Sequence, residues 1–73
     1  MENIKITTPF IKLDQLLKFA NIVNDGSDAK YLIYNECVSV NGETEIRRGR
    51  KLYPGDKVKI VFEEESFELK VCE

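Results

Sequence analysis

The sequence predicts an α+β domain in which two short helices pack on a small sheet. Three observations carry this: Leu13, Leu16, Leu17 and Ala20 recur at helical spacing, residues 38–46 and 57–72 alternate apolar and polar side chains, and Asn41-Gly42 joins two of the alternating runs. Seventy-three residues support one small core, since a chain of this size buries only about 60% of its unfolded surface. Residues 1–73 are therefore read as a single domain.

In chain order, Asn3-Ile4-Lys5-Ile6-Thr7 alternates as a strand with Ile4 and Ile6 on one face, and Thr8-Pro9 ends it. A first helix of about two and a half turns starts at Leu13, with Asp14, Gln15 and Lys18 toward water. Asn24-Asp25-Gly26-Ser27 is a turn in which either Asp25 or Ser27 is a suitable cap for a second helix over 27–35. Ala29, Leu32 and Ile33 form that helix's apolar stripe, while Lys30 and Tyr34, four residues apart, share an outward face. Both helices are too short to persist without a sheet to pack on.

Val38-Ser39-Val40 reads as a strand, Asn41-Gly42 as a turn whose residues tolerate positive φ, and a return strand passes through Thr44 and Ile46. Arg47-Arg48-Gly49-Arg50-Lys51 then forms a basic loop, with Leu52 anchoring its far end in the core and Gly49 allowing a sharp turn or a close approach by a ligand. Tyr53-Pro54-Gly55-Asp56 has the order of a type II turn. Two final strands carry Val58, Ile60 and Phe62, then Phe67, Leu69 and Val71, with Glu63, Glu64 and Glu65 at or near the turn between them. Phe10, Phe19, Phe62 and Phe67 are assigned to the core or its margin, and Tyr31, Tyr34 and Tyr53 to boundary packing with the hydroxyl in water.

The charge is unevenly spread. The chain carries a net charge of −2, yet residues 47–51 carry +4 and hold no acid, which leaves −6 on the remainder. Such a balance argues against indiscriminate coating of nucleic acid and for one basic loop on an acidic body. Three of the four cations are arginines, whose planar fork donates two parallel hydrogen bonds to a phosphate. With no acid in the loop itself, its charge is expected to be neutralised by something outside it. A solvated loop paired with Glu63 to Glu65 is the plainer alternative on composition alone.

Other chemistries find little support. The chain has no His, and no Ser or Cys stands with partners for nucleophilic catalysis, so no catalytic residues are assigned. Cys37 and Cys72 are far apart and without neighbouring ligands, which suits two free thiols and no metal site. The basic loop lacks the glycine spacing of a nucleotide-phosphate loop, so neither a cofactor nor a small-molecule substrate is expected. No apolar run approaches the length of a membrane span, and the N-terminus lacks a signal-peptide pattern, so the expected address is cytoplasmic.

Ile11-Lys12-Leu13-Asp14-Gln15-Leu16-Leu17-Lys18, Asp28-Ala29-Lys30 with Leu32-Ile33, Val38-Ser39-Val40-Asn41-Gly42-Glu43, Arg47-Arg48-Gly49-Arg50-Lys51-Leu52 and Pro54-Gly55-Asp56 together resemble the S-four RNA-binding domain, also called the αL motif. The resemblance runs from about residue 5 to 61 and is closest to the free-standing bacterial single-domain members. It implies an αL-type RNA-binding fold, two short helices on a small, strongly bent, mostly antiparallel sheet. It also implies that RNA is gripped between a helix face bearing Lys12, Lys18 and Lys30 and the loop bearing Arg47, Arg48, Arg50 and Lys51. Where such domains usually have Gly after the second helix this chain has Asn35-Glu36, and Asn35 is expected to supply the left-handed stop. Asp25 and Asp28 add acid at the N-terminal end of the second helix, which makes Lys30 a weaker member of the set than the loop.

The expected role is thus that of a monomeric, non-enzymatic protein recognising structured RNA, with ribosomal RNA or a ribosomal subunit as partner in ribosome assembly or a ribosome-associated role. The rival is a protein-interaction adaptor, with the acidic hairpin (Glu63, Glu64, Glu65, Glu68) engaging a basic partner or the basic loop an acidic one.

Overall fold

The computed structural model describes residues 1–73. Its elements are β1 (Glu2–Lys5), β2 (Ile11–Lys12), α1 (Leu13–Phe19), α2 (Gly26–Tyr34), β3 (Val38–Val40), β4 (Glu43–Thr44), β5 (Lys51–Leu52), β6 (Lys57–Phe62) and β7 (Glu65–Cys72). Five strands form one sheet in the order β1-β7-β6-β3-β4, with β1 parallel to β7 and the other neighbours antiparallel. The remaining pair, β2 with β5, is a separate antiparallel ribbon. No helix is long and apolar enough to cross a membrane.

Alternation decides which face of the sheet is buried. Ile4, Val38, Val40, Val58, Ile60, Leu69 and Val71 join Leu13, Leu16 and Leu17 of α1 and Ala29, Leu32 and Ile33 of α2 in one core of 16 buried residues. The helical spacing and the strand periodicity of the sequence therefore meet in a single apolar cluster. Asp25 is the cap of α2, accepting the Asp28 N–H at 3.0 Å, which leaves Ser27 inside the helix rather than capping it.

The turns behave as their residues demand. Asn41 and Gly42 have φ of 51° and 88°, and Gly55 has φ of 103° with the Asp56 N–H donating to the Tyr53 carbonyl at 2.9 Å. The two turns are fastened together: Asn41 donates through Nδ2 to Asp56 Oδ1 at 3.1 Å and accepts the Lys57 N–H on Oδ1 at 2.9 Å. The Asn41 side chain is thus engaged in holding the fold.

Several expectations are corrected. Helix α1 has 7 residues and ends at Phe19, half a turn sooner than its apolar spacing suggested. Ala20 follows as its C-terminal cap, and the chain then turns through Asn21 at φ of 59°. The left-handed residue after α2 is Glu36, with φ of 61°, not Asn35. Asn35 has φ of −92° and instead donates through Nδ2 to the Tyr31 carbonyl at 2.7 Å, a second bond to an oxygen that already accepts the Asn35 N–H at 3.1 Å.

The return strand, expected to pass through Ile46, stops at Thr44, so alternation ends there: Ile46 is 57% exposed and Glu45 is 5% exposed. Phe19, assigned to the core or its margin, is 63% exposed, and Phe62 and Phe67 are also exposed, though less so. Tyr31, Tyr34 and Tyr53 are about half exposed. Tyr31 meets Phe62 edge-on at 6.0 Å and Tyr53 leans on Phe10 at 6.0 Å, so their rings pack at the boundary as expected.

Candidate nucleic-acid interface

The short β2–β5 ribbon positions the basic loop. It pairs Ile11 with Leu52 and Lys12 with Lys51, tying the end of the loop to the residue from which α1 begins. The loop's own carbonyls continue the attachment: the Leu13 and Asp14 N–H groups donate to the carbonyls of Arg50 (2.9 Å) and Arg48 (3.1 Å). These are first-turn amides that a helix cannot satisfy internally. Leu52, fully buried, anchors the far end as its sequence position suggested.

Beneath the loop lies Glu45. Its Oε2 accepts the N–H groups of Ile46 (3.0 Å) and Arg47 (3.1 Å) and the Arg47 Nε (3.1 Å), while Oε1 accepts Arg47 Nη2 (3.0 Å) and Arg50 Nη1 (2.9 Å). Hydrogen bonds from the Arg47 side chain are the chief reason the Glu45 carboxyl is held down to about 2 from an ordinary 4.5, with Arg50 and the Arg47 backbone adding to them against the opposing effect of burial. The same contact raises Arg47 above its ordinary value. The loop's charge is thus met in part from outside the loop but within the chain, by an acid close in sequence, which corrects the reading that no neighbouring acid serves it. One carboxylate two residues upstream offsets one of four charges and bends the chain around itself.

This separates the loop cations into two kinds. Arg47 and Arg50 are both engaged by Glu45, but the Arg47 side chain remains 72% exposed whereas that of Arg50 is 29% exposed. Arg48 and Lys51 are exposed and have no carboxylate partner. Lys51 stands opposite Lys12 in the ribbon, a like-charge pair that a sheet ordinarily disfavours. Its ammonium rests over the Phe10 ring at 4.8 Å, a contact that fixes its position without cancelling its charge. Gly49 does not have positive φ, and a Cβ there would meet nothing within 4 Å, so the turn itself does not require glycine.

The helix cations are more loosely gathered. Lys18 is exposed in the last turn of α1 and Lys30 is exposed on α2, where its ammonium lies 5.7 Å from the Tyr34 ring centre. No hydrogen bond or ion pair joins either to the loop. Only Lys12 among the helix-side residues is brought directly against it. The sequence reading did not single out Glu45, although it is the acid nearest to Arg47 along the chain. Nor did it find the ribbon, whose two-residue strands are too short to show a period.

The S4 domain family profile matches residues 4–70. A curated relative from Bacillus subtilis (strain 168), named "Probable ribosome maturation protein RlbA", is 47% identical over 57 residues, spanning 78% of this chain and 80% of the relative. With the profile covering nearly the whole chain and the folded elements in the arrangement described, this protein belongs to the S4 domain family.

Proposed function

We propose that the chain binds structured RNA, with ribosomal RNA or a ribosomal subunit as its partner, in ribosome assembly or a ribosome-associated role. The carrying observation is the Lys12–Lys51 pair in the ribbon, together with exposed Arg48 in the same loop, none of them in an ion pair, on a chain of net charge −2. Two lysines set side by side with no ion pair to either are favoured when an anion lies between them, and a phosphate backbone supplies anions at regular spacing. Arg47 adds an exposed guanidinium whose base is fixed by Glu45, and Arg50 shapes the loop from within. Lys18 and Lys30 extend the cationic face along the helices.

The role is one of binding, without a catalytic step or a cofactor, and the chain acts as a monomer. Duplex RNA keeps its base edges in a groove that side chains do not enter, so a rigid cationic corner of this kind selects helix shape and phosphate spacing. Family membership and the ribosome-maturation name of the Bacillus relative support this reading. The rival reading, a protein contact through the β6–β7 hairpin, draws on the exposure of Val61, Phe62 and Phe67 beside Glu63 to Glu65.

The test is binding to isolated ribosomal subunits and to model RNA hairpins across a salt series. Arg48→Glu with Lys51→Glu should weaken both by about 100-fold at low salt and flatten the dependence on salt. Unchanged affinity in that double variant would overturn the proposal.

A further inference from the structure

Beside the cationic corner lies an open groove of about 690 Å³. Pro9, Phe10 and Ile11 line it from the segment before α1, and Gln15, Lys18 and Phe19 from the helix. Phe19 is 63% exposed and pairs with no other ring, whereas Phe10 is already engaged by Lys51 at 4.8 Å and Tyr53 at 6.0 Å. A large aromatic left uncovered at the end of a two-turn helix is a free π-face. The groove is lined by a cation and no carboxylate, and Lys51 reaches its edge through Phe10. Gln15 accepts weakly from the Lys12 N–H at 3.4 Å through Oε1, and its NH2 has no partner in the protein.

We propose that this groove takes one unpaired nucleobase of the bound RNA, stacked on Phe19, with its flanking phosphate held by Lys18 and Lys51 and its edge met by the Gln15 amide. The proposal rests on the RNA-binding reading above and adds to it a preference for an RNA helix interrupted by a bulge or flanked by a loop. A paired base offers no face to such a groove, whereas an unstacked one does, and aromatic side chains beside cations are the usual receptors for it. Charge decides between this groove and the other aromatic one. That second groove, of about 200 Å³ and lined by Tyr31, Leu32 and Phe62, includes the Asp28 carboxylate and no cation, so it disfavours a polyanion. The Phe19 groove attracts one.

The experiment compares two RNA hairpins binding to the full chain: a fully paired stem with a tight loop, and the same stem carrying a single bulged 2-aminopurine. Stacking of one base on an aromatic ring corresponds to about 5- to 150-fold in affinity. The bulged RNA should bind at least about tenfold tighter, and its fluorescence should be quenched on binding. Phe19→Ala should remove the preference and the quenching while leaving affinity for the paired stem unchanged, and Phe19→Tyr should retain both. Arg48→Glu with Lys51→Glu should weaken both RNAs.

Equal affinity of the native chain for the two hairpins would overturn the base site and leave the RNA-binding reading standing. So would a Phe19-dependent dimer seen by light scattering, which would place a second copy of the chain in the groove. Failure of the native chain to bind either hairpin or ribosomal subunits would overturn both.

Discussion

The basic loop 47–51 and the acidic turn between β6 and β7 are both exposed and of opposite sign, yet they are built differently. The loop is fastened by the Glu45 carboxylate from below, by the β2–β5 ribbon at its end, and by two α1 amides that donate to its carbonyls. The acidic turn is a two-residue connection in which Glu63 takes a φ of 57°, and none of Glu63, Glu64 or Glu65 accepts a side-chain hydrogen bond or forms an ion pair. A solvated charge needs only water around it. A charge that must meet another charge at a set spacing gains from a side chain held in place, and of the two only the basic loop has cations held by side-chain hydrogen bonds.

The largest break in this comparison is a reversal of sign at each end. Arg48→Glu alone should lower RNA affinity by about tenfold or more, whereas Glu64→Lys should raise it no more than a few fold, through the long-range field only. Equal and opposite effects in a salt titration would mean that net charge, and not the shaped loop, governs binding.

A smaller effect, on stability, isolates the shaping. Glu45→Gln replaces charge-assisted hydrogen bonds with neutral ones and should cost about 1–3 kcal/mol in denaturant unfolding. It should also lower RNA affinity even though the loop gains one net positive charge; a rise in affinity would show that the organisation of the loop is irrelevant. The pH dependence follows from the same carboxyl. Because folding holds it at about 2 against an ordinary 4.5, its contribution is fully present above pH 4.5 and fades as pH falls through about 2. Glu45→Gln should remove that part of the acid sensitivity, as read from melting temperatures between pH 2 and 6.

The smallest expected effect is at Gly49. Since its backbone is not left-handed and a Cβ would meet open space, Gly49→Ala should leave stability within about 0.5 kcal/mol. If it nevertheless weakens RNA binding, the glycine serves the approach of the ligand and not the turn.

The residues themselves decided the α+β class, the two helices and the hairpin. Leu13, Leu16 and Leu17 repeat at 3.6, Val38 to Val40 and Val58 to Ile60 at 2, and Asn41-Gly42 accepts a backbone that most residues resist. Signals of this kind are local, so they survive without knowledge of the fold. The four cations of the loop were equally visible, because their clustering in sequence is itself the signal.

Tertiary structure alone decided what those cations do. Whether Glu45 or Ile46 turns inward depends on where the return strand stops, and it stops at Thr44. The meeting of Lys12 with Lys51 depends on a ribbon between segments on either side of both helices, which leaves no trace in periodicity. Phe19, assigned by type to the core or its margin, lies in water because its position in α1 falls off the Leu13, Leu16 and Leu17 face. Composition marks which residues carry charge, but their pairing is a matter of distance across the fold. Of the four loop cations, the fold turns Arg50 inward and leaves Arg48 and Lys51 without a carboxylate partner.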